Sequence, residues 1–340
     1  MKLLVLTQAI DTDDPALGFF HSWVAELSRH FSSIVVVCLK EGAHALPSNV
    51  RVLSLGKERS ASRAMYLLRL FSYAWNERKG YDAVFVHQNQ EYVLLVGLLW
   101  KSLGKQIFMW RNHYAGSILT SIAGMFCAKV FYTSKHSYTA RLSNAVQMPV
   151  GVDTDVFKPG GDRAPRSILF LGRIAPSKHP DVLVEALGLL HTRGVDFTAS
   201  LYGPTLPKDE SYRAALSRRI RELGLASKVS LHEGVQHSET SRLYASHEVF
   251  VNLSESGMYD KTLFEAAASG CIVVSRSDDF AHAFSECFTF DGSAESLADA
   301  LEEGIRMPAA EGEEVFRALR AVAESNSLRA LGDRLAEEIV

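Results

Sequence analysis

The chain has 340 residues, of which 47% are hydrophobic and 22% are charged. This is ordinary globular composition, and it excludes a disordered, collagenous or disulfide-scaffold protein. The formal net charge of −3 hides an asymmetry, because residues 1–150 carry 16 Lys/Arg and 9 Asp/Glu whereas residues 151–340 carry 20 and 30. The length and the opposite charges of the halves, +7 and −10, predict two domains that face different partners.

Short apolar runs alternate with helical patterns through the first half of the chain. Strands are predicted at Leu3–Leu6, Ile34–Leu39, Val50–Leu55, Ala83–Val86, Gln106–Trp110 and Val130–Thr133. Helices are predicted at about 16–30 and at Ala61–Lys79, Glu91–Leu103 and Ala115–Ala128. Continuous apolar strands separated by helices indicate a parallel sheet that is covered on both faces.

The pattern is interrupted once and then restarts. Pro149–Ser167 (PVGVDTDVFKPGGDRAPRS) has three prolines and no hydrophobic period, which is typical of an interdomain linker. After it, strands are predicted at Ile168–Leu171, Phe197–Tyr202, Val229–Leu231, Val249–Leu253 and Ile272–Ser275. The helices predicted between them are Lys178–Leu190, Asp209–Leu223, Glu239–Ser246 and Asp260–Ser269. The remainder from Ala294 is mainly helical.

The predicted fold class is α/β, with two Rossmann-like, doubly wound domains that face each other across a cleft. The first domain covers residues 1–149 and the second covers residues 150–324. We expect a C-terminal helix at about 325–340 to pack back on the first domain.

Three features of the sequence bear on the cellular compartment, namely the cysteines, the N-terminus and the longest apolar run. The four cysteines (Cys38, Cys127, Cys271 and Cys287) form no CxxC pair and the histidines are dispersed, so we predict reduced thiols and no metal site. The N-terminus lacks a signal-peptide pattern, and the longest apolar run, residues 92–100, is shorter than the ~20 residues of a membrane span. We expect a cytoplasmic protein with no transmembrane segment and no nucleic-acid partner.

The first candidate site is Leu169–Leu187 (LFLGRIAPSKHPDVLVEAL), where a strand runs into a helix. Gly172 permits close backbone approach, Arg173 offers a bidentate fork and Lys178 adds a charge near the helix start. A lysine there opposes the helix dipole, which favours a bound anion such as a diphosphate. The alternative is a solvated arginine followed by an incidental lysine.

The second candidate site is Val249–Ser275, again a strand, loop and helix. Asp260 is predicted to cap the helix and Gly270 to end it. Glu265 lies in the second helical turn, where a carboxylate can accept hydrogen bonds from the two vicinal hydroxyls of a ribose. The alternative is an incidental glutamate, although an unpaired buried carboxylate is costly.

Three segments together carry a family resemblance. PVGVDTDVFKP, LGRIAPSKHPDVLVEAL and DKTLFEAAASGCIVVS resemble the linker, diphosphate motif and acidic motif of family 4 glycosyltransferases, which are retaining GT-B enzymes. The resemblance is strong across residues 149–275 and weaker before them. It implies a metal-independent transfer from a nucleoside-diphosphate sugar, with a UDP- or GDP-sugar as co-substrate and no resident cofactor.

The resemblance also implies roles for individual residues. Arg173 and Lys178 would hold the donor diphosphate, Glu265 the ribose, and Gly234–Val235 would lie beside the nucleobase. The further residues that we assign to the donor site are Gly18, Gly172, Gly203, Asp260, Lys261 and Thr262.

One position departs from the family pattern. The family usually has a first glutamate eight positions before the second, where this chain has Gly257. Glu255 lies two residues earlier, and DK at Asp260–Lys261 is typical of a bacterial subgroup. Whether Glu255, Asp260 or Lys261 takes the place of the first glutamate stays open.

The acceptor side is predicted in the first domain. His113 matches the position where similar enzymes place a histidine near the anomeric carbon, so we assign it a catalytic contact with the sugar. His87, Arg111 and Asn112 are weaker candidates for the acceptor side. For both histidines the alternative is a loop histidine with no ligand.

The predicted helix at Ala61–Lys79 gives information on the kind of acceptor. Ala64, Leu67, Leu68, Phe71 and Trp75 are predicted to face the core, and Met65, Tyr66, Arg69 and Tyr73 to face outward. Arginine among amphipathic aromatics suits an anionic headgroup layer, although a helix buried on both sides explains the pattern too. A glycan or a lipid-linked molecule is the expected acceptor, at the inner face of a membrane.

Two functions stay open. The first is a hexosyltransferase-like enzyme of polysaccharide or lipopolysaccharide biosynthesis. The second is a non-catalytic or divergent sugar-nucleotide-binding protein on the same scaffold, which the missing first glutamate favours.

Overall fold

A computed structural model of the chain describes residues 1–14, 17–160, 162–255, 260–277, 280–281, 284 and 288–340. These residues form two compact units. The first unit contains Met1–Gly151 and Leu328–Val340, and the second contains Val152–Ser327.

The first unit has a parallel seven-stranded sheet. Its strands are β1 (Lys2–Ile10), β2 (Ser33–Glu41), β3 (Val50–Ser54), β4 (Ala83–His87), β5 (Gln106–Trp110), β6 (Lys129–Tyr132) and β7 (Ala145–Gln147), in the spatial order β3-β2-β1-β4-β5-β6-β7. Its helices are α1 (Gly18–Leu27), α2 (Arg63–Asn76), α3 (Gln90–Ser102), α4 (Ile118–Phe126) and, at the C-terminus, α11 (Leu328–Ile339).

Helices cover both faces of this first sheet. Successive residues of β1 point to opposite faces, so Leu3 and Val5 join one core while Leu4 and Leu6 join the other. The first core is closed by α1 and α11, and the second by α2, α3 and α4. Every strand pair recorded in this sheet is parallel, as the continuous apolar runs predicted.

The second unit repeats the same topology. Its strands are β8 (Ala164–Leu171), β9 (Thr198–Tyr202), β10 (Val229–His232), β11 (His247–Asn252), β12 (Ile272–Ser275) and β13 (Phe288–Thr289), in the order β10-β9-β8-β11-β12-β13. Its helices are α5 (Pro180–Thr192), α6 (Glu210–Glu222), α7 (His237–Ser246), α8 (Lys261–Ser269), α9 (Ala294–Arg306) and α10 (Ala309–Ser325). In both sheets the strand order reverses at one point, between β1 and β4 and between β8 and β11.

Several element boundaries differ from the predicted ones. Strand β8 begins at Ala164, inside the segment predicted as a linker. The backbone of its first residues pairs with a neighbouring strand, but their side chains are exposed, so no apolar run marks them in the sequence. Helix α5 begins at Pro180, so Lys178 lies in a preceding 3-10 turn. His179 has a φ of +51°, and a proline disfavours helical backbone in the residue before it. The short strands β7 and β13 were not predicted.

The orientation of α2 is a correction. Its buried residues are Leu70 and Ala74, whereas Leu68 and Trp75, which were predicted to face the core, are 67% and 48% exposed. Arg69 and Tyr73, which were predicted to face outward, donate hydrogen bonds to the carbonyls of Leu55 and Ser54. The side of α2 that carries Arg69 and Tyr73 therefore faces the sheet, because these side chains satisfy carbonyls at the end of β3.

Candidate donor site

The two predicted motifs meet where the second sheet reverses its strand order. Lys178 follows β8, and its Nζ lies 3.0 Å from the hydroxyl of Ser254, which follows β11. The same Nζ lies 3.8 Å from Oδ2 of Asp260. Ligands of open α/β sheets bind at this kind of position, beyond the carboxyl ends of the strands.

Asp260 is held rigidly at the start of α8. Its Oδ1 accepts from the amide of Thr262 at 3.2 Å and from the Thr262 hydroxyl at 2.8 Å, which confirms the predicted N-cap. Asn252 donates to Asp260 Oδ2 at 3.0 Å and to the Thr262 hydroxyl at 3.1 Å. The network fixes the carboxylate of Asp260 beside Lys178.

Close backbone packing fixes the segment that carries Arg173. A Cβ atom added at Gly203 would lie 1.8 Å from the Gly172 carbonyl oxygen and 3.2 Å from the Arg173 Cα, so only glycine fits. The amide of Gly172 donates to the Tyr202 carbonyl at 3.0 Å. Arg173 itself is exposed, and it makes no hydrogen bond or ion pair within the part of the chain that the structure describes. Its guanidinium is thus available to an anion.

Lys261 is the second lysine at the start of α8. Burial lowers its pKa to about 8, while Glu265 and Asp153 oppose this effect. A cation in this environment is poorly solvated, and a bound anion would stabilise it.

Glu265 is buried at 5% exposure and has partners. The Tyr244 hydroxyl donates to its Oε2 at 3.3 Å, and Nε2 of His237 lies 3.3 Å from its Oε1. Burial and the neighbouring Glu265 raise the pKa of Tyr244, which keeps the phenol protonated as a donor. Phe157 contacts both rings edge-on, at 5.6 Å from His237 and 5.9 Å from Tyr244. The carboxylate is therefore oriented by a small aromatic cluster.

The segment predicted beside a nucleobase follows β10. Gly234 packs on Pro204, since an added Cβ would lie 2.8 Å from the proline Cδ, and Val235 is half-buried. Tyr202 and His232 stack with ring centroids 4.2 Å apart.

The first unit holds three of the predicted residues, Arg111, Asn112 and His113, in one loop after β5. Nδ1 of His113 accepts from the amide of Ala115 at 2.9 Å, so the N–H of this ring is on Nε2. Asn112 Oδ1 accepts from the amides of Thr133 and Ser134, at 3.2 and 3.0 Å. Arg111 donates to the Ala115 carbonyl at 3.0 Å. Arg111 and Asn112 thus shape the loop that presents His113.

His87 and Gly18 lie elsewhere in the first unit. His87 is 1% exposed and stacks on Phe20 with ring centroids 4.0 Å apart, so the structure places it in the core rather than on an acceptor surface. The amide of Gly18 donates to the Asp14 carbonyl at 2.9 Å, and an added Cβ would lie 2.9 Å from the Thr12 carbonyl oxygen. The close approach at this glycine is therefore to the chain's own loop.

Four residues of the donor site were missed from the sequence. Asn252 ends β11 and Ser254 lies two residues after it, and polar residues at the end of a strand point to a site, so they could have been found. His237 and Tyr244 are seven residues apart on α7 and share one face of the helix, a spacing that is also typical of core packing.

The structure describes only some of the residues around the position of the missing first glutamate. Gly257 lies outside the described residues, as do its neighbours at 256, 258 and 259. Glu255 is described, and its carboxylate pairs with Arg276 at 3.1 Å.

Among the described residues, no group of three His, Cys, Asp or Glu could hold a metal ion. In that same part of the chain, no helix is long and apolar enough to cross a membrane.

Comparison with protein families places this site in a known domain type. Residues 165–306 match the family model described as "Glycosyl transferases group 1". The matched segment contains Arg173, Lys178, Asp260 and Glu265. Over the matched residues the second unit is therefore similar to the group 1 glycosyltransferase domain.

Curated relatives match the chain over part of its length. The GtfA subunit of the UDP-N-acetylglucosamine–peptide N-acetylglucosaminyltransferase of Streptococcus gordonii is 31% identical over 133 residues, which is 39% of this chain and 25% of that protein. The D-inositol 3-phosphate glycosyltransferase of Mycobacterium bovis is 30% identical over 134 residues, 36% of this chain and 27% of that protein. The chain thus spans about a quarter of the length of the curated relatives that it matches.

Solved structures resemble the whole chain. Anabaena Alr3699/HepE in complex with UDP and glucose has a TM-score of 0.78 at 17% identity, over 100% of this chain and 99% of that one. Sucrose-phosphate synthase from Thermosynechococcus elongatus has a TM-score of 0.80 at 14% identity, over 99% and 98%. This likeness confirms the predicted fold class, two Rossmann-like α/β domains of the GT-B type.

Proposed function

We propose that the chain is a glycosyltransferase that moves a sugar from a nucleoside-diphosphate sugar to an acceptor hydroxyl, with retention of anomeric configuration. The observation that carries this proposal is the meeting of Lys178 with Ser254 and Asp260 where the second sheet reverses its strand order. Arg173, exposed beside this junction, supplies a second cation.

In the proposed reaction, the bond from the anomeric carbon to the diphosphate oxygen breaks and a bond to the acceptor oxygen forms. The departing diphosphate gains negative charge, which Arg173, Lys178 and Lys261 neutralise as it develops. The acceptor hydroxyl attacks from the face that the diphosphate leaves, and its proton passes to the departing diphosphate. Because side chains supply the positive charge, we propose that the transfer is independent of metal.

One comparison makes a uridine nucleotide the first donor to test, and one feature of the site fits the ribose of any nucleotide donor. HepE, which shares the fold, was crystallised with UDP and with UDP-glucose. The buried carboxylate of Glu265, oriented by Tyr244 and His237, has oxygen lone pairs left to accept from a ribose diol. We keep a GDP-sugar as the second candidate.

We propose a glycan or lipid-linked acceptor on the first unit, where the Nε2 proton of His113 is available for a contact with the transferred sugar. The free and buried thiols of Cys38, Cys127 and Cys271 support a reducing compartment. We therefore propose that the reaction takes place in the cytoplasm. A lipid-linked acceptor would locate it at the inner face of a membrane.

The test is a thermal-shift panel of UDP-, GDP-, ADP- and TDP-sugars, followed by a transfer assay with the donor that binds. A ligand at about 100 times its dissociation constant stabilises the folded state by ~2.7 kcal/mol. Arg173→Ala and Glu265→Ala are expected to weaken the binding of that donor at least tenfold. Arg218→Ala is the matched control, because Arg218 is an exposed arginine of α6 that pairs with Glu222 in its own helix.

Three results discriminate between the functions. Unchanged binding by both site variants would contradict the donor site. Binding of a nucleotide sugar without transfer to any glycan or lipid-linked acceptor would favour the non-catalytic alternative. Transfer that is lost in Arg173→Ala and kept in Arg218→Ala would support the enzyme.

A further inference from the structure

One outer surface of the first unit is unusually apolar. Helices α2, α3 and α4 lie over the same face of the first sheet and share one core, with Leu70, Val96 and Ala123 as buried members. Gly97 of α3 packs against Phe126 of α4, where an added Cβ would lie 3.2 Å from the ring. The outward sides of the three helices therefore form one continuous layer.

Large apolar side chains are concentrated on that layer. Of the 16 exposed large hydrophobic residues among those that the structure describes, 12 lie between residues 65 and 125. Leu68 on α2, Leu98 on α3 and Met125 on α4 are 67%, 72% and 82% exposed. We call the following set the apolar helix surface: Leu67, Leu68, Phe71, Trp75, Leu95, Leu98, Ile118, Leu119, Ile122 and Met125.

The charge around this surface is mainly basic, although Glu91 in the first turn of α3 and Glu77 directly after α2 are acidic. Residues 92–152 contain no Asp or Glu, but they contain six Lys or Arg. Arg78 lies over the ring of Trp75 at 4.2 Å, which places a guanidinium beside an exposed indole. Exposed apolar side chains with a basic surround suit a layer of anionic lipid headgroups over acyl chains.

We propose that the apolar helix surface docks on an anionic lipid bilayer. The described part of the second unit shows the contrast, because its helices carry ion pairs. Arg219 of α6 pairs with Glu185 of α5, and Arg193, which follows α5, pairs with Asp299 of α9. Contiguous exposed apolar surface marks an interaction site, and the basic charge selects an anionic lipid surface as the partner. Docking through three short amphipathic helices needs no transmembrane segment.

The acceptor loop borders this surface. His113 stacks on Tyr114 with ring centroids 4.6 Å apart, and Tyr114 is 57% exposed four residues before Ile118. A hydroxyl of a lipid-linked acceptor in the docked bilayer would thus come up beside His113. This last step rests on the proposed function, whereas the docking itself does not.

The test is co-sedimentation of the full chain with vesicles of phosphatidylglycerol and phosphatidylcholine, compared with phosphatidylcholine alone. We expect binding to the anionic vesicles that weakens as salt is added. The combined variant Leu68→Glu, Leu98→Glu and Met125→Glu is expected to bind at least tenfold more weakly. The matched control is Val156→Glu with Leu206→Glu, two exposed apolar residues of the second unit, and it should bind like the wild type.

Trp75 provides an independent readout of docking. It is 48% exposed, whereas Trp23, Trp100 and Trp110 are 3%, 0% and 3% exposed. Anionic vesicles should shift the tryptophan emission to the blue, and Trp75→Phe should abolish the shift. Retention of the donor thermal shift by the triple glutamate variant shows that it is folded, and it separates failure of docking from failure of the proposed function.

Three results would overturn the proposal. The first is no binding of the wild type to anionic vesicles at low salt. The second is equal binding by the wild type and the triple glutamate variant. The third is a dimer, measured by light scattering, that the triple variant dissociates, since the surface would then be an interface between two copies of the chain.

Discussion

The two sheets have the same strand order but different side chains where that order reverses. In the second unit the point between β8 and β11 holds Lys178, Ser254 and Asp260, a polar junction beside an exposed arginine. In the first unit the end of β4 carries His87, which is buried and stacked on Phe20. The same topology thus offers a charged site in one unit and an aromatic core in the other. Topology gives the place for a ligand, and the side chains decide whether one can bind.

The lysines of the two units show the same contrast. Lys40 in the first unit pairs with Asp11 at 2.9 Å, and this hydrogen bond lowers the pKa of that carboxyl. Lys178 in the second unit lies farther from its carboxylate, at 3.8 Å. The first lysine is largely neutralised by its partner, whereas the second can also approach a ligand.

The largest effect is expected at the glycine that lets β9 approach the end of β8. Gly203→Val places side-chain atoms where the Gly172 carbonyl lies, so the segment that carries Arg173 must move. We expect a loss of about 1–3 kcal/mol in the free energy of unfolding and no measurable nucleotide binding. Urea denaturation and isothermal titration with UDP measure the two quantities. Gly160→Ala is the control, since nothing lies within 4 Å of its added Cβ, and normal UDP binding by Gly203→Val would contradict the site geometry.

The second effect separates the two lysines directly. Lys178→Ala is expected to weaken UDP binding about tenfold to a hundredfold, because a charge-assisted contact contributes ~1.5–3 kcal/mol. Lys40→Ala should leave UDP binding unchanged and should lower the free energy of unfolding by about 1–3 kcal/mol, because the buried carboxylate of Asp11 loses its charged donor. Equal losses of affinity in the two variants would remove the distinction between the units.

The core of both sheets could be predicted from the sequence, because buried parallel strands are continuous apolar runs. Strand β5 was predicted at Gln106–Trp110 and found there, and the cap at Asp260 followed from residue type alone. The polar ends of β8 and β11 also indicated the site. These features depend on neighbours along the chain, which the sequence displays.

What could not be predicted depends on partners that are distant in the sequence. Helix α2 was given the wrong buried face because its apolar side was assumed to be the core side. Its true orientation follows from Arg69 and Tyr73 reaching the carbonyls of Leu55 and Ser54, which only the packed structure brings near. The cluster of His237 and Tyr244 around Glu265 likewise joins two helices, so no local pattern displays it.

The third effect is a pH dependence that belongs to the second unit alone. If the charged form of Lys261 binds the diphosphate, a pKa of about 8 predicts an affinity for UDP that falls about tenfold between pH 7 and pH 9. The lowered pKa also means that the unfolded chain holds this proton more tightly, so this lysine makes stability rise with pH between about 8 and 10.5. Titrations of UDP against pH test the first statement and denaturation curves test the second.

Two variants give this pH test its controls. Lys261→Met should bind UDP with an affinity that does not change across that range. Lys228→Met should keep the wild-type profile, because Lys228 pairs with Asp196 on the surface of the same unit. A profile that survives in Lys261→Met would assign the titration to another group.

The smallest effect is expected in the first unit, at His87. Because this ring is buried and stacked on Phe20, replacement by an aromatic ring of similar size preserves most of its packing. His87→Phe should lower the free energy of unfolding by about 1 kcal/mol, because it removes the buried 3.4 Å hydrogen bond between the Thr7 hydroxyl and Nδ1 of His87, and it should leave UDP binding unchanged. The deciding measurement is the transfer rate at saturating acceptor, compared with that of His113→Ala. If His87 is a core residue, we expect wild-type transfer in His87→Phe and a loss of transfer in His113→Ala.

If His87→Phe instead lost transfer while its melting temperature and UDP affinity stayed normal, the aromatic interior of the first unit would itself take part in binding the acceptor. The contrast between a charged site in one unit and a closed core in the other would then fail.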